Sequence, residues 1–352
     1  RRQLKNAIRR SLLSTPSRII ACIWGDWGAG KTHAMTYFSK PEVMERLIKE
    51  MELEVRLPIS IPVTFPLENV LDTIYLDIIE QIGVDQIIRA LNTLESKTIR
   101  PKEPFEKKMS GYMDPRVAEP FVKLKGKKPF LFQRYLSMTA TSAELRGHGI
   151  ARGIGTLSDK VRTISGILNL LTGTIASRVF IWFDDMERIG DMAGREIFGF
   201  QYFIRDLLDN VPKNLIIILQ FTMLPGEEVE DRLAYLGDAV RYRISDKISV
   251  QPLTEEEFFS YVQDLLKAFR LQPSKVETEF FPFERAALEF IFSNLKSRRI
   301  PLEPRNLNET LSSALSEALN DVEKTDSVIT KAYIETHKEI FSRVALPKRQ
   351  KS

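Results

Sequence analysis

The chain has 352 residues, 43% of them hydrophobic and 28% charged, with 51 basic against 47 acidic side chains and a formal net charge of +4. That length accommodates a sizeable core and about two domains, and a charge so mild does not by itself name nucleic acid as a partner. One cysteine, Cys22, excludes a disulfide framework; three scattered histidines give little basis for a zinc site; no apolar run approaches the ~18 residues of a membrane span. A cytoplasmic location is the expectation from these features.

Residues 1–13 space Leu4, Ile8, Leu12 and Leu13 as a helix does, and Ser14-Thr15-Pro16-Ser17 breaks it, so 1–17 reads as an N-terminal helix. Arg18–Trp24 is short, apolar and rich in branched residues, the pattern of a buried strand. Directly after it comes Gly25-Asp26-Trp27-Gly28-Ala29-Gly30-Lys31-Thr32, which fits G-x-x-x-x-G-K-[ST] at every fixed position. The following residues, beginning with His33, contain neither Gly nor Pro up to Phe38 and can continue as a helix.

Strand, glycine turn and helix form a phosphate cradle for physical reasons. Glycines let several backbone N–H groups converge on one anion. The helix start adds free N–H groups and the positive end of its dipole. Gly25 to His33 are therefore the expected nucleotide-binding residues, with Lys31 reaching the β/γ-phosphates and the Thr32 hydroxyl sitting on Mg²⁺. An ordinary glycine turn is the alternative, disfavoured by the strand and helix on either side.

Further along, residues 41–48 read as a short helix and Ile59–Phe65 as a strand, with Pro62 arguing for the sheet edge. Helical spacing returns from Leu67 to about Leu94. Between 95 and 162, fifteen basic residues stand against seven acidic ones, and Pro and Gly are frequent. This reads as a basic, partly irregular insertion at about 95–176, either solvated or a partner surface, with nucleic acid a candidate partner over 97–162. Residues 164–176 are apolar but interrupted by Gly, and read as a packed helix more readily than as one that touches a membrane or a subunit.

Arg178-Val179-Phe180-Ile181-Trp182-Phe183-Asp184-Asp185-Met186-Glu187-Arg188 carries the second strong signal. Five apolar residues make a central strand, and its carboxylates fall at the C-terminal end, where ligands of open parallel sheets bind. Asp184 is the expected Mg²⁺ holder and Asp185 the residue that orients or deprotonates the attacking water. Glu187 is the reserve for that task. A helix N-cap region is the plain alternative for such acids.

Residues 189–210 read as an amphipathic helix, and Leu215–Thr222 as another buried strand whose polar Gln220 and Thr222 mark a place for a γ-phosphate sensor. A turn follows at Pro225-Gly226. Arg188, Arg232, Arg241 and Arg243 are the candidates for an arginine finger toward a neighbour. From about 251 to 352 the pattern is all-helical: a capping box at Thr254–Glu257, helices near 283–295, 305–322 and 327–343, and a basic tail at 347–351. Leu307, Leu311, Leu315, Ala318, Leu319 and Val322 look like one core stripe.

The Gly25–Thr32 run resembles the G-x-W-G-x-G-K-[ST] loop of the KAP group of P-loop ATPases, and Asp184–Arg188 resembles that group's D-D-x-[DE]-R signature. More broadly the layout is similar to AAA+ and STAND ATPases. The resemblance implies an α/β P-loop core over 18–250, with a mainly parallel central sheet flanked by helices, followed by a helical lid over 251–352. It also implies the family's roles for Lys31, Thr32, Asp184 and Asp185, and for Thr222 and Arg305, the last as a second sensor opening a lid helix, while Glu187 stays the reserve catalytic residue read from the run itself. ATP with Mg²⁺ is the implied cofactor pair, and self-association or a partner protein the implied setting. The function so read is an ATP-hydrolysing switch. A nucleotide-stabilised nucleic-acid binder and a membrane-peripheral scaffold ATPase are the alternatives.

Overall fold

The computed structural model describes residues 2–13, 18–96, 104–125, 129–224, 226–269, 278–321 and 328–341. The expected break at 14–17, Lys97, Arg100, Lys102, Lys127, Lys128, Pro225, Val322 and the basic tail lie outside them. The chain divides into two compact units, one of the residues up to Gly25 with Lys31–Ser249, the other of Asp26–Gly30 with the residues from Val250 on.

The first unit is built on five parallel strands: β1 (Arg18–Gly25), β2 (Ile59–Thr64), β3 (Val179–Asp184), β4 (Leu215–Thr222) and β5 (Ile244–Ser249), in the order β2-β3-β4-β1-β5. The runs Val179–Phe183 and Leu215–Phe221 are buried throughout, because both faces of the sheet are covered by helices. Pro62, which has no N–H to give, sits on β2, which among the described residues is an edge strand paired with β3. The strands that end at Gly25 and Asp184 are separated only by β4.

Helices α1 (Arg2–Leu13), α2 (Lys31–Phe38), α3 (Pro41–Glu50), α4 (Val70–Ile82), α5 (Val84–Ser96), α6 (Phe105–Met109), α7 (Pro115–Leu124), α8 (Pro129–Leu136), α9 (Ser142–Arg146), α10 (Leu157–Thr174), α11 (Gly194–Asn210), α12 (Val229–Ala234) and α13 (Asp238–Arg241) complete the unit. Residues 189–210 are not one helix: a 3₁₀ turn over Met186–Asp191 precedes α11. Phe200 of α11 meets Phe65 and Phe183 edge-on, with ring centroids 4.9 and 5.7 Å away, which locks the helix to the ends of β2 and β3.

The stretch expected to be partly irregular is largely helical. Met109, Phe121, Phe132, Leu145, Ile164 and Leu168 belong to the same apolar cluster as the sheet, so α6–α10 are part of the core. Its cations pair largely within the unit: Lys123 with Glu119, Lys125 with Glu95, Arg134 with Glu144, Arg152 with Asp159, and buried Lys160 with Asp72. Lys125 also lies 4.6 Å from the Phe105 ring centroid.

The glycines that interrupt the apolar stretch of α10 mark a close approach. A Cβ on Gly166 would lie 2.5 Å from Met113 Cβ, and one on Gly173 2.1 Å from Tyr112 Cε1. Met113 Cβ cannot yield without its backbone, so Gly166→Ala should cost about 1–3 kcal/mol by overpacking. Thermal melts check this against Gly155→Ala, where nothing lies within 4 Å and little change is expected.

Cys22 is fully buried in β1. Desolvation, opposed by Lys247 and aided by Glu230, pushes its thiol up to about 12. Only about one molecule in ten thousand would carry a thiolate there at pH 8. A disulfide reagent should therefore leave the native protein unlabelled over a time in which the denatured chain reacts fully.

The second unit packs α14 (Glu255–Phe269), α15 (Arg285–Ser297), α16 (Pro304–Asn320) and α17 (Lys331–Thr336), with a 3₁₀ turn at Lys338–Phe341, around Phe258, Leu288, Ile291, Leu295, Leu307, Leu311 and Ile334. The helix expected over 327–343 is thus shorter than its pattern. The capping box at α14 is formed: the Thr254 N–H donates to Glu257 Oε2 (3.0 Å) and the Glu257 N–H to Thr254 Oγ1 (3.3 Å). The leucine stripe of α16 divides. Leu307, Leu311 and Ala318 are buried, whereas Leu315 and Leu319 are exposed, because four-residue steps drift by about 40° each around a helix of 3.6 residues per turn.

Candidate functional site

At the end of β1 the backbone turns sharply. Gly28 and Gly30 have φ of +90° and +96°, a region open to glycine at no steric cost. The Ala29 N–H donates to Asp26 O (3.3 Å) and the helix α2 begins at Lys31. Lys31 is buried and folds back so that Nζ donates to Gly25 O at 3.0 Å. That same carbonyl accepts the Met223 N–H at 3.1 Å, tying the start of the loop to the end of β4.

The next residue reaches β3. Thr32 Oγ1 donates to Asp184 Oδ2 at 2.6 Å, across 152 positions of sequence. Asp184 is only 4% exposed, and its carbonyl accepts the Phe65 N–H at 2.9 Å. A hydroxyl and a carboxylate are the hard oxygen donors that suit Mg²⁺, which takes few protein ligands and fills its shell with phosphate oxygens and water. The described residues contain no cluster of three or more His, Cys, Asp or Glu side chains that would hold a metal without such help.

Asp185 follows with φ +55°, a left-handed position that Asp tolerates through its short polar side chain. Its carboxylate pairs with Arg188 at 2.8 Å, and Arg188 also donates to Phe65 O at 2.8 Å. Burial first, and then the charge of Asp184, raise the Asp185 pKa above the ordinary carboxylate value; Arg188 and Lys31 pull the other way and Glu187 adds to the rise. Glu187 is turned toward β4, where its Oε2 accepts the Thr222 N–H at 2.9 Å. Lys31, Thr32, Asp184 and Asp185 thus form one cluster beyond the strand ends, and Glu187 and Thr222 form a bonded pair.

The other expected residues have surroundings of their own. His33 is exposed on α2. Within the second unit, Trp27 is 75% exposed and Arg305 stacks over it, its guanidinium 5.1 Å from the ring centroid, while Arg305 Nε donates to Glu309 at 3.1 Å. A Cβ on Gly28 would lie 2.9 Å from Arg305 Cβ and 3.0 Å from Glu303 Oε2, so this glycine serves close packing as well as the turn. The finger candidates all have acids of their own chain: Arg188 with Asp185, Arg232 with Glu227, Arg241 with Asp238 and Arg243 with Asp209.

One residue, named from the sequence only beside Thr222 as a place for a γ-phosphate sensor, makes a bond that its pattern did not foretell. Gln220, fully buried in β4, donates from Nε2 to Lys31 O at 3.1 Å. The signal available was a lone amide in the otherwise apolar run Leu215–Phe221. No described helix is long and apolar enough to cross a membrane.

No protein-family model and no curated protein matches the chain at a significant level. Among solved structures, the ORC2 protein of Aeropyrum pernix in its ADP form aligns over 97% of this chain and 66% of its own, with 13% identity and a TM-score of 0.55. The same protein in ADPNP–ADP complexes aligns over 99% and 69%, with 13% identity and a TM-score of 0.56. This chain therefore spans about two thirds of the length of the protein it resembles. At that identity the likeness is one of fold: a five-stranded parallel sheet with flanking helices.

Proposed function

We propose that this chain binds ATP with Mg²⁺ and hydrolyses it, and that turnover drives a conformational or assembly switch in a larger complex. The observation that carries the reading is the hydrogen bond from Thr32 to Asp184, which joins the residue after the phosphate-loop lysine to the first carboxylate beyond β3. In this reading the Gly25–His33 segment cradles the phosphates, and Lys31 neutralises charge on the β/γ oxygens. Thr32 and Asp184 are the residues that would hold Mg²⁺. The ion's contribution, once bound, is to offset the charge that builds on the phosphate oxygens. Asp185 orients the attacking water and takes its proton; burial, and then the charge of Asp184, raise its pKa above the ordinary carboxylate value. Glu187 holds the end of β4, which sets Thr222 to read the γ-phosphate, and Arg305 is the candidate second sensor.

Trp27 within the loop and the run Asp184–Arg188 support a KAP-type subclass of the AAA+ fold. Adenine is favoured over guanine because the sequence has no N-K-x-D pattern, and because the ORC2 structures it resembles hold ADP and ADPNP. Phosphate release from ATP and from GTP, each with Mg²⁺ and with a chelator, tests the reading. We expect release from ATP that needs Mg²⁺ and exceeds that from GTP. No release above background from either nucleotide, in a protein that melts cooperatively, would overturn it.

A further inference from the structure

Gln220 occupies an unusual place. Parallel pairing sets it beside Ile23 of β1, and the β3 ladder, which aligns Phe183 with Leu219, puts Asp184 next along on its other side. Its side chain is 0% exposed. Only the amide nitrogen can donate to a carbonyl, so the bond to Lys31 O at 3.1 Å fixes the amide's orientation. Oε1 then points elsewhere, buried and with no hydrogen-bond partner among the described residues. A buried acceptor left without a donor destabilises a fold. Lys31 O, as a carbonyl in the first turn of a helix, gains little from a second donor. Packing alone would be better served here by a methionine or leucine, like the apolar residues on either side.

Building on the proposed function, we infer that Gln220 is a positioning residue of the nucleotide site. Its amide N–H holds the Lys31 carbonyl and so sets the turn from which the Lys31 and Thr32 side chains project. Its Oε1 receives a hydrogen bond from a water that enters with the nucleotide–Mg²⁺ complex. The group acts through Lys31, Thr32 and that water, and touches no reacting atom. Its stability cost in the empty protein is recovered when the site fills.

The test uses Gln220→Met, which keeps the length and removes both polar atoms, and Gln220→Asn, which keeps the amide one methylene short. Three readouts are needed: the melting temperature without nucleotide, ATP–Mg²⁺ affinity from the fluorescence of exposed Trp27, and steady-state phosphate release. We expect Gln220→Met to melt at or above the wild-type temperature while kcat falls about tenfold to a hundredfold, with KM within about threefold. Binding of ATP–Mg²⁺ should raise the melting temperature of the variant by less than that of the wild type. Gln220→Asn should lie between the two in kcat, and it carries the test if Gln220→Met does not fold. A lower melting temperature with kcat and KM kept would show a structural role and overturn the inference. So would a wild-type kcat in either folded variant. If the wild-type protein itself neither binds nor cleaves ATP, the proposed function fails and this inference with it, whereas an active wild type with unaffected variants sinks the inference alone.

Discussion

Lys31→Ala should leave a folded protein whose ATP turnover is lower by about a hundredfold or more. The side chain is buried at the start of α2, and its ammonium group lies against the Gly25 carbonyl. It stands on the same element as Thr32, whose hydroxyl donates to Asp184. Removing one preorganised charge or donor at a reacting centre costs a few kcal/mol of transition-state stabilisation, and no nearby arginine can substitute, because Arg188 and Arg232 are held by Asp185 and Glu227. The loss should appear in phosphate release and also as a smaller rise in melting temperature on adding nucleotide. The melting temperature of the empty protein, in which Lys31 Nζ donates to Gly25 O, is the control that shows the variant is folded. A Lys31→Ala protein that hydrolyses ATP within about threefold of the wild-type rate would remove the phosphate loop from the mechanism.

The second large effect separates the two carboxylates. Asp185→Asn should lower kcat about a hundredfold or more, while ATP–Mg²⁺ affinity stays within a fewfold of wild type, as expected for a group that acts only in the transition state. Asp184→Asn should instead weaken the dependence of nucleotide binding on Mg²⁺, because Asp184 is the carboxylate bonded to Thr32. The environments differ enough to support this division. Asp184 is buried against a hydroxyl, whereas Asp185 is half-exposed, left-handed in backbone and paired with Arg188. Binding isotherms with and without Mg²⁺, set beside phosphate release, distinguish the two variants. Equal loss of binding in both would contradict separate roles.

The parts of this molecule that the sequence makes legible are those where chemistry demands a residue type at a set spacing. Gly25 to Thr32 and Asp184-Asp185 after five apolar residues are of this kind, and so is the capping box at Thr254–Glu257. The parts that were not legible depend on contacts remote in sequence or on residues with two meanings. Proline was read as a sign of irregular chain between 95 and 176, but Pro115 and Pro129 begin α7 and α8, where a missing N–H costs nothing. Lysine was read as a solvated charge, but Lys160 is buried against Asp72 and the Lys125 head lies over Phe105. Gly166 and Gly173 looked like interruptions because the chain that crowds them, at Met113 and Tyr112, lies about fifty to sixty residues earlier. Gln220 meets Lys31 across 189 positions, a pairing that no local pattern encodes. The left-handed Asp185 and its bond to Arg188 depend on the tight turn after β3, and a run of acids does not announce that turn.

The most direct test of the central claim is a crystal structure with ADPNP and Mn²⁺, the metal located by its anomalous scattering. The account predicts one metal peak within coordination distance of the Thr32 hydroxyl, in direct or water-bridged contact with Asp184, and the phosphates against Gly28–Lys31. A nucleotide bound elsewhere on the chain, or a metal with neither Thr32 nor Asp184 in its surroundings, would contradict it.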